Sequence, residues 1–277
     1  MSSTSTAQAP GVLDRVDLLL LRAAKRRRER WRGDAGFYEV YFTEDDVDKY
    51  ALDVRSLWRF QVMRTAFEHA IPSGVATVVD VGCGLGAART HLPERASYVG
   101  IDVSEQALEL ARKLPGSGGD FRHGGFPRLP VDDESCDFAV CLEVLEHLPD
   151  DAQAVADLRR IVRPGGYLLV SVPSTYYWPE YRQLMGHLRH YTGTSLERLL
   201  AAHRFTVIER YRQFSTIWRL YHYAYVAGRA VEAVARNRWS FYDSTIYRRG
   251  ARRLLALLEP PTATTANSTF VLARRQP

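Results

Sequence analysis

Between residues 76 and 210 the chain alternates short β-branched runs with helical stretches. That alternation restricts the fold more than any other feature. Residues 76–81, 98–102, 136–142 and 167–173 read as strands, with a short strand at 121–123. Residues 105–113 and 151–162 read as helices between them. Elements in this order build a parallel sheet with helices on both faces. Further along, 196–202 reads as a helix, 205–210 as a sixth strand and 268–273 as a last one. Ahead of the alternation, 12–32 and 51–70 read as helices, the second ended by Pro72 and Gly74.

The first strand runs into Val79-Asp80-Val81-Gly82-Cys83-Gly84-Leu85-Gly86, a glycine turn that reads as opening a helix. In open α/β sheets ligands bind beyond the carboxyl ends of the strands, near the switch point. Glycines there let a ligand approach the backbone. Asp102 ends the second strand twenty residues after Gly82, where an acid suits ribose hydroxyls. Three readings fit the turn: a dinucleotide site, another nucleoside cofactor, or a tight turn with no ligand. Asp80 is badly placed beside a pyrophosphate but suits a cationic amino group, reached directly or through water. The only lysines, Lys25, Lys49 and Lys113, do not stand four residues after a tyrosine, so the Tyr/Lys pair of one large dehydrogenase class is missing. A third feature pointing away from dinucleotides is Arg163-Pro164-Gly165-Gly166 before the fifth strand.

In order, the chain carries VVDVGCGLG, VGIDVS, LPVDDESCDFAVCLEVLEHLPD, LRRIVRPGGYLLVSVPS and GHLRHYTGTSLERLLAAHRFTVIE. With these pieces, residues 76–210 resemble a class I S-adenosylmethionine-dependent methyltransferase of the large small-molecule group. The resemblance implies a Rossmann-like, seven-stranded, mostly parallel sheet with six parallel strands, one antiparallel strand and helices on both faces. Helical additions stand at the N-terminus and before the last strand. It implies S-adenosyl-L-methionine as cofactor and S-adenosyl-L-homocysteine as product. Asp80, Gly82, Cys83, Gly84 and Gly86 would hold the methionine part, and Asp102 the ribose. Val103 would flank the adenine, and Cys141 and Leu142 would lie under the methionine end. One position departs from the pattern. The family often has an acid three or four residues before the Leu-Pro pair; here His123-Gly124-Gly125-Phe126 precedes Leu129-Pro130, and Gly125 takes that place. Either Phe126 backbone groups substitute or the adenine contact is weaker.

Methyl transfer needs a nucleophile held in line with the methyl group, and a base where that nucleophile is a hydroxyl. Glu143, Glu146 and His147 follow the fourth strand. His147 is the first candidate base, because an imidazole is largely neutral near neutral pH; a packing role is the alternative. Glu143 is read as a wall of the site. His187, Arg189, His190 and Tyr191 follow a loop with Tyr176, Tyr177 and Trp178. His187 is the second candidate base, the aromatic loop a substrate wall, and Tyr191 a further substrate contact. Arg189 is read as binding an acidic acceptor group or pairing with Glu180 or Glu197. Cys83, Cys136 and Cys141 match neither a zinc site nor a disulfide framework, so no metal is expected and a reducing, cytoplasmic setting follows.

The expected organisation is a disordered leader over 1–10, an N-terminal helical cap over 11–74 and the cofactor-binding core over 75–210. A helical lid follows over 211–266, rich in Tyr, Trp and Arg, and 267–277 supplies the last strand. A dimer interface or plain core is the alternative for the lid. The net charge of +5 is too mild for a nucleic-acid coat. The basic stretches 22–32 and 248–253 read as solvated faces, or as contacts to an anionic membrane surface or RNA. No apolar run approaches the roughly 20 residues a membrane span needs. The expected reaction is methyl transfer to a small-molecule hydroxyl, with nitrogen and then RNA as lesser acceptors. A non-catalytic cofactor-binding scaffold is the reading from another class. Oligomeric state is not legible.

Overall fold

The computed structural model describes residues 54–114, 118–173, 187–213 and 268–277. The expected leader and most of the cap, the loop with Tyr176, Tyr177 and Trp178, and nearly all of the expected lid lie outside the described residues. Seven strands make one sheet: β1 (Thr77–Val81), β2 (Ser97–Asp102), β3 (Asp120–His123), β4 (Cys136–Leu142), β5 (Val162–Pro173), β6 (Phe205–Gln213) and β7 (Ser268–Arg275). Their order is β3-β2-β1-β4-β5-β7-β6. Strands β1 to β5 pair in parallel, and β7 is antiparallel to both β5 and β6, as expected from the sequence. The order reverses between β1 and β4, which sets the switch point there.

Among the described residues, four α-helices cover the sheet: α1 (Val54–Ala70), α2 (Glu105–Lys113), α3 (Asp151–Ile161) and α4 (Gly193–Ala202). The last three start where local chemistry tells them to. Ser104 accepts the Ala107 N–H, Asp150 accepts the Gln153 N–H, and Thr192 and Ser195 form a reciprocal capping box. Alternation along the strands sorts the core into two layers. Val78, Phe138, Val140 and Phe270 face Met63, Ala66 and Phe67 of α1 and Leu108 and Ala111 of α2. Val79, Val81, Ile101, Ala139 and Val170 face α3 and α4, through Val155, Leu158, Leu196 and Leu200. The Phe67 and Phe138 rings meet edge to face at 5.3 Å.

Two elements differ from expectation. The glycine turn opens only a 3-10 helix, Ala87–His91. Leu92 leaves it with φ −97° and ψ 152°, because the following Pro93 excludes the helical region. Arg163, Pro164, Gly165 and Gly166 do not precede β5 but form a bulge inside it. Cys136 pairs with Val162 and Phe138 with Tyr167, so four residues of β5 oppose Asp137 alone. Arg163 pairs with that Asp137, and Gly165 takes φ 77°. The bulge lies at the amino end of β5, across the sheet from the ligand edge, so this turn cannot touch a ligand there. Among the described residues, no helix is long and apolar enough to cross a membrane.

Because Phe67 is 1% exposed against Phe138, α1 is expected to be part of the sheet's own core. Phe67→Ala should cost about 3–5 kcal/mol. The check is a lowered urea midpoint with an unchanged m-value.

Candidate active site

The turn after β1 folds over the end of β2. The Gly82 and Cys83 N–H groups both donate to the Ile101 carbonyl, at 2.8 and 3.1 Å. Gly84 N–H donates to Asp102 Oδ2 at 2.8 Å, and Ser104 N–H to Asp102 Oδ1 at 3.0 Å. Gly82 has φ 76°, and an added Cβ would lie 2.4 Å from Val144 Cγ2. Gly86 has φ 67°, with Phe121 at 2.6 Å from such an atom. Packing alone therefore demands glycine at these two positions.

Register places the acids. Asp80 pairs with Gly100 on one side and Val140 on the other, so Asp80, Tyr98, Asp102, Val140 and Leu142 share one face of the sheet. The Tyr98 hydroxyl donates to Asp80 Oδ2 at 2.7 Å. Burial pushes the Asp80 carboxyl up to about 7; the Tyr98 hydrogen bond opposes this and the Asp102 charge adds to it. Tyr98 was not foreseen as part of the site. The available signal was its position, two residues before the glycine opposite Asp80.

At the other end of β2, Val103 is 50% exposed, and the Gly124 N–H donates to the Asp102 carbonyl at 3.0 Å. An added Cβ on Gly125 would stand 2.7 Å from Val103 Cγ1. A side chain at 125 therefore requires the exposed Val103 side chain to move. Phe126 packs on the α3/α4 layer. Cys83 packs within the α1/α2 layer, its sulfur donating weakly to the Gly84 carbonyl. Cys141 is fully buried on the α3/α4 side, across the sheet from Leu142, so its thiol is not brought together with Asp80 and Asp102.

Beyond β4, Glu143 adopts φ 57°, a conformation that costs a non-glycine residue roughly 1–2 kcal/mol. It is held by its N–H on the Ser171 carbonyl (3.0 Å) and by the Ser171 hydroxyl on its Oε1 (2.8 Å). Glu146 next to it is completely buried, and neither carboxylate oxygen has a hydrogen-bond partner among the described residues. Burial, then the Glu143 charge, pushes its carboxyl well above the usual range. The two candidate bases are brought together: the His147 and His187 rings meet edge to face at 4.7 Å. His187 Nδ1 lies 2.9 Å from His190 Nε2. Burial, with His147 and His190 nearby, lowers the His187 imidazole to about 3.

Arg189 and Tyr191 both engage Asp151 at the start of α3. Arg189 pairs with Asp151 at 3.0 Å and donates to the Pro149 carbonyl at 2.7 Å. The nearly buried Tyr191 donates its hydroxyl to the other Asp151 oxygen at 2.7 Å. Glu197, one expected partner of Arg189, takes Arg210 instead, and Glu180 lies outside the described residues. The Leu188 N–H completes the brace on the Glu146 carbonyl at 2.7 Å. Asp151, the hub of this clamp, carried no signal in the sequence beyond starting a helix.

Residues 79–170 match a family model described as a methyltransferase domain. The phthiotriol/phenolphthiotriol dimycocerosates methyltransferase of Mycobacterium tuberculosis is 36% identical over 110 residues, covering 38% of this chain and 39% of its own. A ubiquinone biosynthesis O-methyltransferase of Aromatoleum aromaticum is 36% identical over 99 residues, covering 34% of this chain and 42% of its own. The chain thus spans about two fifths of the length of these curated relatives. Among solved structures, a phosphoethanolamine N-methyltransferase of Haemonchus contortus in complex with S-adenosyl-L-methionine aligns with TM-score 0.54 at 15% identity, over 77% of this chain and 52% of its own. That likeness is one of fold.

The raised Asp80 carboxyl has a consequence for stability. The unfolded acid ionises near 3.8 and the folded one near 7, so stability of the ligand-free protein falls as pH rises through that window. Asp80→Asn keeps an acceptor for Tyr98 and removes the penalty. Its melting temperature should exceed that of the parent by more at about pH 8 than at about pH 5. An equal gain at both would show that Asp80 is not ionised against a penalty.

Proposed function

Because the chain carries a class I S-adenosylmethionine-dependent methyltransferase domain, we propose that it transfers the methyl group of that cofactor to a hydroxyl of a small molecule. The observation that carries this reading is the shared face at the switch point. The glycine turn, Asp80, Asp102 and Leu142 converge there, beside the Glu143–His147 edge. The donor set suits the cofactor. Asp80 is a buried carboxylate matched to a ligand ammonium, and Asp102 is an acid at the end of β2, of the kind that accepts from ribose hydroxyls. Val103 offers an apolar surface for adenine, and the backbone of Gly82 to Gly86 a close approach. The Haemonchus protein of the same fold holds S-adenosyl-L-methionine, and the Aromatoleum relative is named as an O-methyltransferase, which favours oxygen as the acceptor atom.

S-adenosylmethionine, when bound, supplies an electrophilic sulfonium methyl. The chain's part is to align the acceptor, exclude water and take up a proton. Buried Leu142 closes the sheet beneath the reacting end. Of the two histidines in contact, His187 is too weak a base near neutral pH. His147, with 20% of its side chain exposed, receives the hydroxyl proton, and His187 orients it. Tyr176, Tyr177 and Trp178 remain proposed acceptor walls, and Arg189 and Tyr191 act at one remove, by holding the histidine segment in place.

Calorimetry with S-adenosylmethionine and an assay of methyl release test this reading. Asp80→Ala should abolish cofactor binding. His147→Ala should leave the cofactor Kd unchanged and lower kcat by about 10²–10⁴. Saturable binding of a nicotinamide cofactor instead, or no nucleoside binding at all, would overturn it.

A further inference from the structure

We propose that Glu146, His147 and His187 form a binding site for a divalent first-row transition-metal ion at the edge of the sheet beside the glycine turn. Each residue offers one ligand atom, and these atoms all lie within 4.8 Å of one another. Three atoms at that mutual distance stand about 2.8 Å from their common centre, against bonds near 2.1 Å. Side-chain adjustments of roughly 0.7 Å or less at each atom therefore let one ion touch all three. The expectation that no metal is bound rested on cysteine spacing and could not foresee this meeting, since His187 stands forty residues beyond His147 in the chain.

The second observation is Glu146 itself. It is 0% exposed, and both of its oxygens lack a hydrogen-bond partner among the described residues. Its ion pair with His147 Nε2, at 3.9 Å, is too long for a hydrogen bond, and a buried carboxylate so weakly held costs several kcal/mol. Glu143 adds a second negative charge close by, and Arg59 acts on Glu146 through space without hydrogen-bonding its carboxylate. A bound cation answers both acids.

Geometry also prepares the imidazoles. His190 Nε2 lies 2.9 Å from His187 Nδ1. Ligating histidines commonly have their second nitrogen fixed in this way. The Leu188–Glu146 backbone bond and the Arg189 and Tyr191 contacts to Asp151 lock the two contributing segments together. Two imidazoles with one carboxylate suit Mn²⁺, Fe²⁺, Co²⁺ or Zn²⁺ better than Mg²⁺ or Ca²⁺, which favour oxygen. With an ion bound, the acceptor hydroxyl would ligate it and lose its proton to water, and His147 would act as the base only in the ion-free chain. Only that catalytic role rests on the methyl-transfer reading; binding does not.

The test uses the full chain, stripped with a chelator and titrated with Co²⁺, then with Mn²⁺ and Zn²⁺ in equilibrium dialysis. One ion per chain is expected, with visible ligand-field absorption for Co²⁺. Glu146→Gln and His187→Asn should each weaken binding by about 100-fold or more, and His190→Ala by about 10–100-fold. Circular dichroism and S-adenosylmethionine affinity are read on the same samples. Should Glu146→Gln fail to fold, His187→Asn, at a half-buried position, carries the comparison. Folded protein that binds S-adenosylmethionine but takes up none of the three ions overturns this inference alone, as does uptake unchanged in the folded variants. Uptake of the ion without any cofactor binding supports it and overturns the methyl-transfer reading alone.

Discussion

The parallel register of β1 between β2 and β4 decides where each polar group of the site goes. Because Asp80 lies opposite both Gly100 and Val140, it shares a face with Tyr98, Asp102 and Leu142. A slip of one residue would send Asp80 into the apolar layer against α3 and α4. The hydrophobic pattern forbids that slip: Val79, Val81 and Ile101 are all at most 2% exposed on the other side. The core thus enforces the position of the acids, and the glycine turn follows from it. Its first two N–H groups bond to Ile101, and the next in the site bonds to Asp102, so the end of β2 shapes the loop of β1.

The same sheet edge carries the structure's least comfortable groups. Asp80 and Glu146 are buried acids, and Glu143 is a non-glycine residue in the left-handed region. Departures from good packing chemistry gather at functional sites, where a ligand relieves them. All three lie within the span from β1 to the 3-10 turn Leu145–His147 that lines the switch point. What makes them tolerable is the rigidity around them. Ser171 holds Glu143 from β5, and the Asp151 clamp binds the segment of His187 and Tyr191 to the start of α3.

Much of this was legible along the chain. The strands and capped helices could be read because their signals are local: β-branched runs for the strands, and Ser104, Asp150 and Thr192 for the helix starts. The short 3-10 turn was also signalled locally, by Pro93, and was read as a longer helix because the glycine turn suggested one. Arg163 to Gly166 served as a family marker, yet it belongs to the far edge of the sheet, where a bulge over Asp137 needs its glycines. Arg189 and Tyr191 read as substrate contacts because exposure cannot be judged from sequence; a helix start forty residues away absorbs both.

By itself, the sequence determined the layered α/β fold, the ligand turn after β1 and the two acids at the strand ends, since periodicity and glycine placement act over a few residues. Only the tertiary structure decided which side of the sheet each side chain occupies. It put Cys141 across the sheet from Leu142, gave Asp80 its tyrosine partner, and brought His147, His187 and Glu146 within 4.8 Å. Those meetings depend on strand order and on contacts between segments far apart in the chain, and no local pattern encodes them.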